Sequence, residues 1–73
     1  MTSIPKPGPY KHYKYGDDYT VIDVVFHSET EEALVLYRAE YGDRNLWVRP
    51  LDMFVEIVDK DGQQTPRFQY VGT

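Results

Sequence analysis

The stretch Leu46-Trp47-Val48-Arg49-Pro50-Leu51-Asp52-Met53-Phe54 decides how this chain folds. The run 46–49 reads as a strand, and alternate residues of a strand point to opposite faces. Leu46 and Val48 therefore share one face, and Trp47 and Arg49 the other. Pro50 has no N–H to give to a ladder, so it ends the strand or confines it to an edge. Leu51-Asp52-Met53 fits a single tight turn of 3₁₀ type, and Phe54-Val55-Glu56-Ile57-Val58 resumes as a strand. Strand, one turn, strand is how a small barrel turns a corner. Met53 and Phe54 are expected in the core. Trp47 shares its face with Arg49, so that face is either a wet groove or a buried cation–aromatic contact.

Downstream, Asp59-Lys60-Asp61-Gly62 places Asp-Gly between two candidate strands, a strong hairpin signal. Past Pro66, Arg67-Phe68-Gln69-Tyr70-Val71 closes the sheet as a last short strand. Upstream, Tyr41-Gly42-Asp43-Arg44-Asn45 is a turn by composition, and Ala33-Leu34-Val35-Leu36-Tyr37-Arg38-Ala39 has strand character. Ser28-Glu29-Thr30-Glu31-Glu32 has two readings. It is a hairpin loop, or it caps a helix over residues 29–41. The loop is preferred because a β-rich run follows at once.

Residues 19–27 form the strongest strand, with Ile22, Val24 and Phe26 expected to face the core and Val21, Asp23, Val25 and His27 to face away. Gly16-Asp17-Asp18 is a turn, and residues 10–15 a first strand. Residues 1–8 read as a flexible tail, since Pro5, Pro7 and Gly8 oppose a helix there. Residues 9–71 are then one domain. The fold expected is mainly all-β: a small SH3-like barrel or roll of five to six short antiparallel strands, with at most one short helical or 3₁₀ turn. Closure of such a sheet covers edges that would otherwise be exposed.

Composition bounds the chemistry. A chain of 73 residues is near the lower limit for a self-sufficient core. The absence of cysteine excludes disulfides, thiol nucleophiles and cysteine-bearing metal sites. No apolar run approaches membrane-spanning length and the N-terminal residues lack a signal-peptide core, so a cytoplasmic protein is expected. The net charge of −4 and pI near 4.9 argue against salt-driven binding to duplex DNA, which needs a basic face. Seven tyrosines suit a β-rich domain with an adhesive face.

The series Tyr10…His12-Tyr13-Lys14, His27-Ser28-Glu29-Thr30-Glu31, Val35…Tyr37-Arg38…Tyr41-Gly42, Leu46-Trp47-Val48-Arg49-Pro50…Met53-Phe54 and Gly62…Pro66-Arg67-Phe68 closely resembles the bacterial domain-of-unknown-function family 1653. Order and spacing match from about residue 8 to residue 68. Members typically read His-Tyr/Phe-Lys-Gly, whereas here Tyr15 stands between Lys14 and Gly16. The resemblance implies a small SH3-type roll and no established activity.

Three groups of residues are candidates for function. His27 ends a strand, and Glu29 stands two residues on, the minimum for acid–base work. A solvated loop in which Ser28 or Thr30 bonds the backbone explains the same residues. His12 and His27 with a carboxylate lack metal-ligand spacing, so no metal is expected. The third group is an arginine–aromatic surface of Tyr13, Tyr37, Arg38, Tyr41, Trp47, Arg49 and Arg67. Guanidinium groups hold carboxylates and phosphates, and flat rings stack on bases or proline. The competing reading pairs these arginines with some of the twelve acids to brace strands.

No glycine-rich phosphate loop or nucleophile elbow occurs, so no cofactor is implied. The expected function is a binding module for a peptide, a nucleotide-like molecule or another anion, acting as a monomer or weak homo-oligomer. A structural accessory role and a small enzyme using His27 and Glu29 are the alternatives.

Overall fold

The computed structural model describes residues 4–72. Its elements run β1 (Gly8–His12), β2 (Asp18–Phe26), β3 (Ala33–Ala39), β4 (Leu46–Pro50), α1 (Leu51–Phe54), β5 (Ile57–Lys60), β6 (Gln63–Pro66) and β7 (Phe68–Tyr70). The chain is mainly β, as expected, with one short helix. Seven strands form among the described residues, rather than five or six. Five make an antiparallel sheet in the order β4-β3-β2-β1-β7, and β5 and β6 make a separate hairpin. The large sheet does not close into a barrel: β4 and β7 are its two edges.

The corner after β4 is strand, one turn, strand, as the sequence suggests, but Phe54 closes the turn and the next strand begins at Ile57 rather than Phe54. Pro50 ends the strand, and α1 is one turn closed by the Val55 N–H donating to the Leu51 carbonyl at 3.1 Å. Residues three apart in a helical turn share a face. Leu51 and Phe54 therefore turn inward together, and Phe54 is 1% exposed. Met53 lies off that face and is 49% exposed, so its expected core position is corrected. The Asp61-Gly62 turn has both residues at positive φ, 53° and 81°, the backbone of a type I′ hairpin. The 28–32 segment is a hairpin loop between β2 and β3, and no helix forms there.

The core is one aromatic-rich cluster of Tyr10, Val21, Val35, Tyr37, Phe54 and Phe68. Phe54 and Phe68 stack face to face, with centroids 4.3 Å apart and planes 1° from parallel. Seven buried residues is a small core for a chain of this length, and flat rings supply most of its apolar area.

One expectation about β2 fails for a definite reason. Val21 pairs with Tyr37, but the next register pair is Asp23 with Leu36, so a bulge falls at Ile22. An extra residue reverses the in–out alternation beyond it. Val21 before the bulge and Val24 after it therefore both face the core, while Ile22 is 36% exposed. Phe26, at the strand end, is 70% exposed.

The chain start differs slightly from expectation. β1 takes in Gly8, and Lys6 is tied to the sheet: its carbonyl accepts from the Tyr10 hydroxyl at 2.8 Å, and its ammonium lies 4.5 Å from the Tyr70 ring centroid. Residues 1–3 of the expected tail lie outside the described residues. β1 ends at His12, and residues 13–15 form a turn rather than more strand. No helix among the described residues is long and apolar enough to cross a membrane.

Candidate functional site

The inner face of the sheet is only partly covered by α1. At the end where β2 begins and β3 ends, it opens into a cavity of about 360 Å³. Tyr19 comes from β2, Tyr37 and Ala39 from β3, Trp47 and Arg49 from β4, and Tyr41 to Asn45 from the β3–β4 turn. Register explains the gathering. Tyr37 pairs with Trp47 and Val35 with Arg49, and alternation puts all four on the face that carries the core. Tyr19 lies opposite Ala39 on the same face.

The cup is mostly aromatic. The Tyr19 and Tyr41 hydroxyls are 2.9 Å apart and hydrogen-bonded, and Tyr19 meets Tyr37 edge-on at 5.6 Å. Burial, and then the bond to Tyr41, push the Tyr19 phenol well above its ordinary value. Trp47 forms an open wall and is 54% exposed. The two arginines of the cup differ. Arg44 is held by Glu40 through bonds of 2.6 and 3.1 Å. The Thr20 hydroxyl also donates to Glu40, and these two contacts hold the Glu40 carboxyl below the usual range. Arg49 has no carboxylate within salt-bridge distance among the described residues. It is half-buried, with its guanidinium 5.3 Å from the Phe68 centroid.

The two residues of this face differ in setting. Trp47 is wet, and Arg49 makes the cation–aromatic contact, with Phe68 rather than with Trp47. His12 reaches Phe68 edge-on at 5.1 Å. Burial lowers its basicity, and the nearby Arg67 and Arg49 charges lower it further.

The other residues singled out from sequence fall elsewhere. Arg38 alternates to the opposite face of β3, across from Thr20 and Leu46. Arg67 braces the β5–β6 hairpin: its guanidinium donates to Glu56 at 3.0 Å and its backbone N–H to the Glu56 carbonyl at 2.9 Å. Its Nε is buried without a hydrogen-bond partner. Tyr13 packs on His12 with centroids 5.0 Å apart, and its carbonyl accepts from the Lys60 ammonium at 3.2 Å. Neither Arg67 nor Tyr13 lines the cup. Tyr19 lines it but was not singled out, because the β2 alternation pointed its face outward. The signal available was the hairpin pairing, which sets residue 19 opposite residue 39.

His27 and Glu29 sit in the loop that closes the other end of the β2–β3 hairpin. The His27 ring accepts, through Nδ1, the backbone N–H groups of Glu29 at 3.1 Å and Thr30 at 3.3 Å. His12 Nδ1 accepts the Lys14 N–H at 3.1 Å in the same way. Each imidazole therefore organises a turn, as an Asx side chain would. Among the described residues no three His, Asp or Glu side chains gather in a group fit to hold a metal.

The open antiparallel sheet, its short α1 corner and the cup beside β4 define a small β-roll domain. The sequence profile of DUF1653, a protein family of unknown function, matches residues 8–70, and this chain belongs to that family. It is also similar to the crystal structure of a DUF1653 protein from Bordetella bronchiseptica. The two are 35% identical, with a TM-score of 0.85 over 99% of this chain and 94% of the other. No curated protein matches the sequence.

Proposed function

We propose that this protein is a small binding module whose cup takes a compact anion carrying a flat ring, of nucleotide-like kind. The observation that carries the reading is Arg49: a half-buried cation without an acid partner among the described residues, opening onto Tyr37 and Trp47. A guanidinium stripped of part of its water gains strongly from a carboxylate or phosphate held in two bonds. Tyr41 and Trp47 offer faces on which a ring can lie. A cavity of about 360 Å³ is at the small end of the range for small-molecule sites. The acidic chain as a whole favours a compact ligand over a long polyanion.

The acid–base reading of His27 and Glu29 gains nothing from the geometry, since Nδ1 of the ring is occupied by the loop backbone. Trp47 is the only tryptophan, so its fluorescence reports on the cup directly. The test is a titration with mononucleotides, a short single-stranded RNA, an acidic peptide and a proline-rich peptide, followed by fluorescence and backbone-amide NMR. Saturable shifts at Tyr37, Trp47 and Arg49 with an anionic ligand are expected. Arg49→Gln should weaken that binding at least tenfold while leaving the fold intact. Binding that survives unchanged in both Arg49→Gln and Trp47→Ala, or none to any of the panel, would overturn the proposal.

A further inference from the structure

β4 is an edge strand with no cover. Leu46, Trp47 and Val48 are 54%, 54% and 52% exposed, three consecutive apolar side chains on the rim of the sheet. Natural edges are usually blunted by lysine, proline, an inward-pointing charge or a bulge. β4 has Arg49 and Pro50 only at its last two positions, so residues 46–48 are left without any of these, and their pairing to β3 is regular.

The backbone of this edge is also unpaired in a specific pattern. The Ala39 N–H donates to the Asn45 carbonyl at 3.2 Å, so residues 39 and 45 face each other as a hydrogen-bonded pair. Such pairs alternate along an antiparallel ladder. Tyr37–Trp47 and Val35–Arg49 continue the series, and Leu46 and Val48 turn their N–H and C=O groups outward. Pro50, which has no N–H, occupies the next outward position and costs the ladder to β3 nothing.

From this we infer that β4 pairs antiparallel with β4 of a second copy of the chain, with Trp47 on the two-fold axis. In that register Leu46 of each copy lies opposite Val48 of the other, and both outward N–H groups of each chain find the other's outward C=O groups. A register centred on Val48 instead sets Leu46 against Pro50 and leaves a carbonyl without a donor. On one face, Leu46 and Val48 cover each other. On the other, the two Trp47 rings come together as a non-hydrogen-bonded pair, the closest side-chain approach in such a ladder.

Charge favours the same arrangement. Neither Arg49 nor Asp43 has an ion-pair partner among the described residues. The two-fold carries Arg49 of one copy to Asn45 of the other and toward the turn that bears its Asp43, a through-space attraction across the axis that leaves the guanidinium open to an anion in the cup. The two cups then meet at the axis, so each gains the partner's Trp47 as a further wall. This last clause rests on the proposed binding function; the pairing itself does not.

The pairing involves only three residues from each strand, so it should depend on concentration. Sedimentation equilibrium of the intact protein should move from the 8.6 kDa of one chain toward twice that as concentration rises. Val48→Lys puts a charge on the outer face, away from core and cup, and should hold the chain at one copy with its spectrum unchanged. Leu46→Lys is the second variant should Val48→Lys fold poorly. Hydrogen exchange at the Leu46 and Val48 amides should slow at least tenfold between dilute and concentrated wild type, and not in the variants. A wild type that stays at one chain at millimolar concentration would overturn the inference. So would a dimer whose Leu46 and Val48 amides exchange as fast as in dilute solution. Ligand titration of Val48→Lys separates the two proposals. A wild-type dimer that binds none of the panel refutes the cup alone, and a Val48→Lys monomer that binds as wild type refutes the merged cup.

Discussion

Phe68 carries Arg49 on its ring, with the guanidinium 5.3 Å from the centroid, and also stacks on Phe54 at 4.3 Å. One side chain from the last strand thus joins the core to Arg49, the cation of the cup without an acid partner among the described residues. Phe68 also meets His12, Tyr19 and Tyr37. Removing the Phe54 ring would leave a cavity against Phe68 in a core with few other members. Phe54→Ala should cost about 3–5 kcal/mol, close to the whole stability of so small a domain, and the variant should be largely unfolded by circular dichroism. Phe54→Leu should remain folded with a lower urea midpoint.

His12 gives stability a definite pH dependence. Its folded-state basicity lies below the ordinary value of 6.5, chiefly through burial and then through Arg67 and Arg49. The unfolded chain therefore takes up the proton first as pH falls. The contribution is fully present above pH 6.5 and is lost as pH drops through the folded-state value. Urea midpoints measured from pH 8 down to pH 5 should decline below about 6.5. In His12→Gln that decline should shrink, and a slope identical to wild type would show that His12 is not its source.

The Tyr19–Tyr41 contact predicts a spectroscopic change. Tyr19 should ionise well above the roughly 10 of a free phenol, because it is partly buried and bonded to the Tyr41 hydroxyl. Tyr41→Phe removes that hydroxyl without removing the ring. Ultraviolet titration should then show the highest-titrating tyrosine moving down toward the others. No movement would mean that burial alone sets its value.

His27 should behave as a turn former. Its Nδ1 accepts two backbone N–H groups in the β2–β3 loop. Losing an acceptor of this kind costs about 1 kcal/mol, so His27→Ala should lower stability by about that much. Asn supplies an oxygen acceptor of similar reach, and His27→Asn should recover most of the loss. Chemical denaturation of the pair checks this. Equal losses in both variants would point to a role for the ring that its acceptor nitrogen does not explain.

Glu40 gives the fold a second pH dependence, in acid. Its carboxyl is held below the ordinary 4.5, first by the Thr20 hydroxyl and then by Arg44. The stabilisation is present above that value and fades as pH falls through the folded-state one. Glu40→Gln should therefore lower stability at pH 7 and flatten the profile below about pH 4.5, so that variant and wild type converge in acid. A profile as steep as wild type would place the acid sensitivity elsewhere.

Local chemistry settled much of this molecule from sequence alone. Pro50 confined β4 to an edge or its end because it lacks an N–H, Asp61-Gly62 turned because both residues tolerate positive φ, and Phe54 is expected inside as a large apolar residue. The faces of β4 followed from alternation, which put Trp47 with Arg49. Tertiary structure decided what depends on partners distant in sequence. The bulge at Ile22 reversed the face of half of β2, and no local signal marks one extra residue in a β-branched run. Met53 went outward because a single helical turn has only one inner face and Leu51 and Phe54 fill it. Arg38, Arg49 and Arg67 look alike in sequence. Strand parity sent the first to the far face, Glu56 claimed the third, and only the second was left in the cup, over a ring from nineteen residues further along the chain.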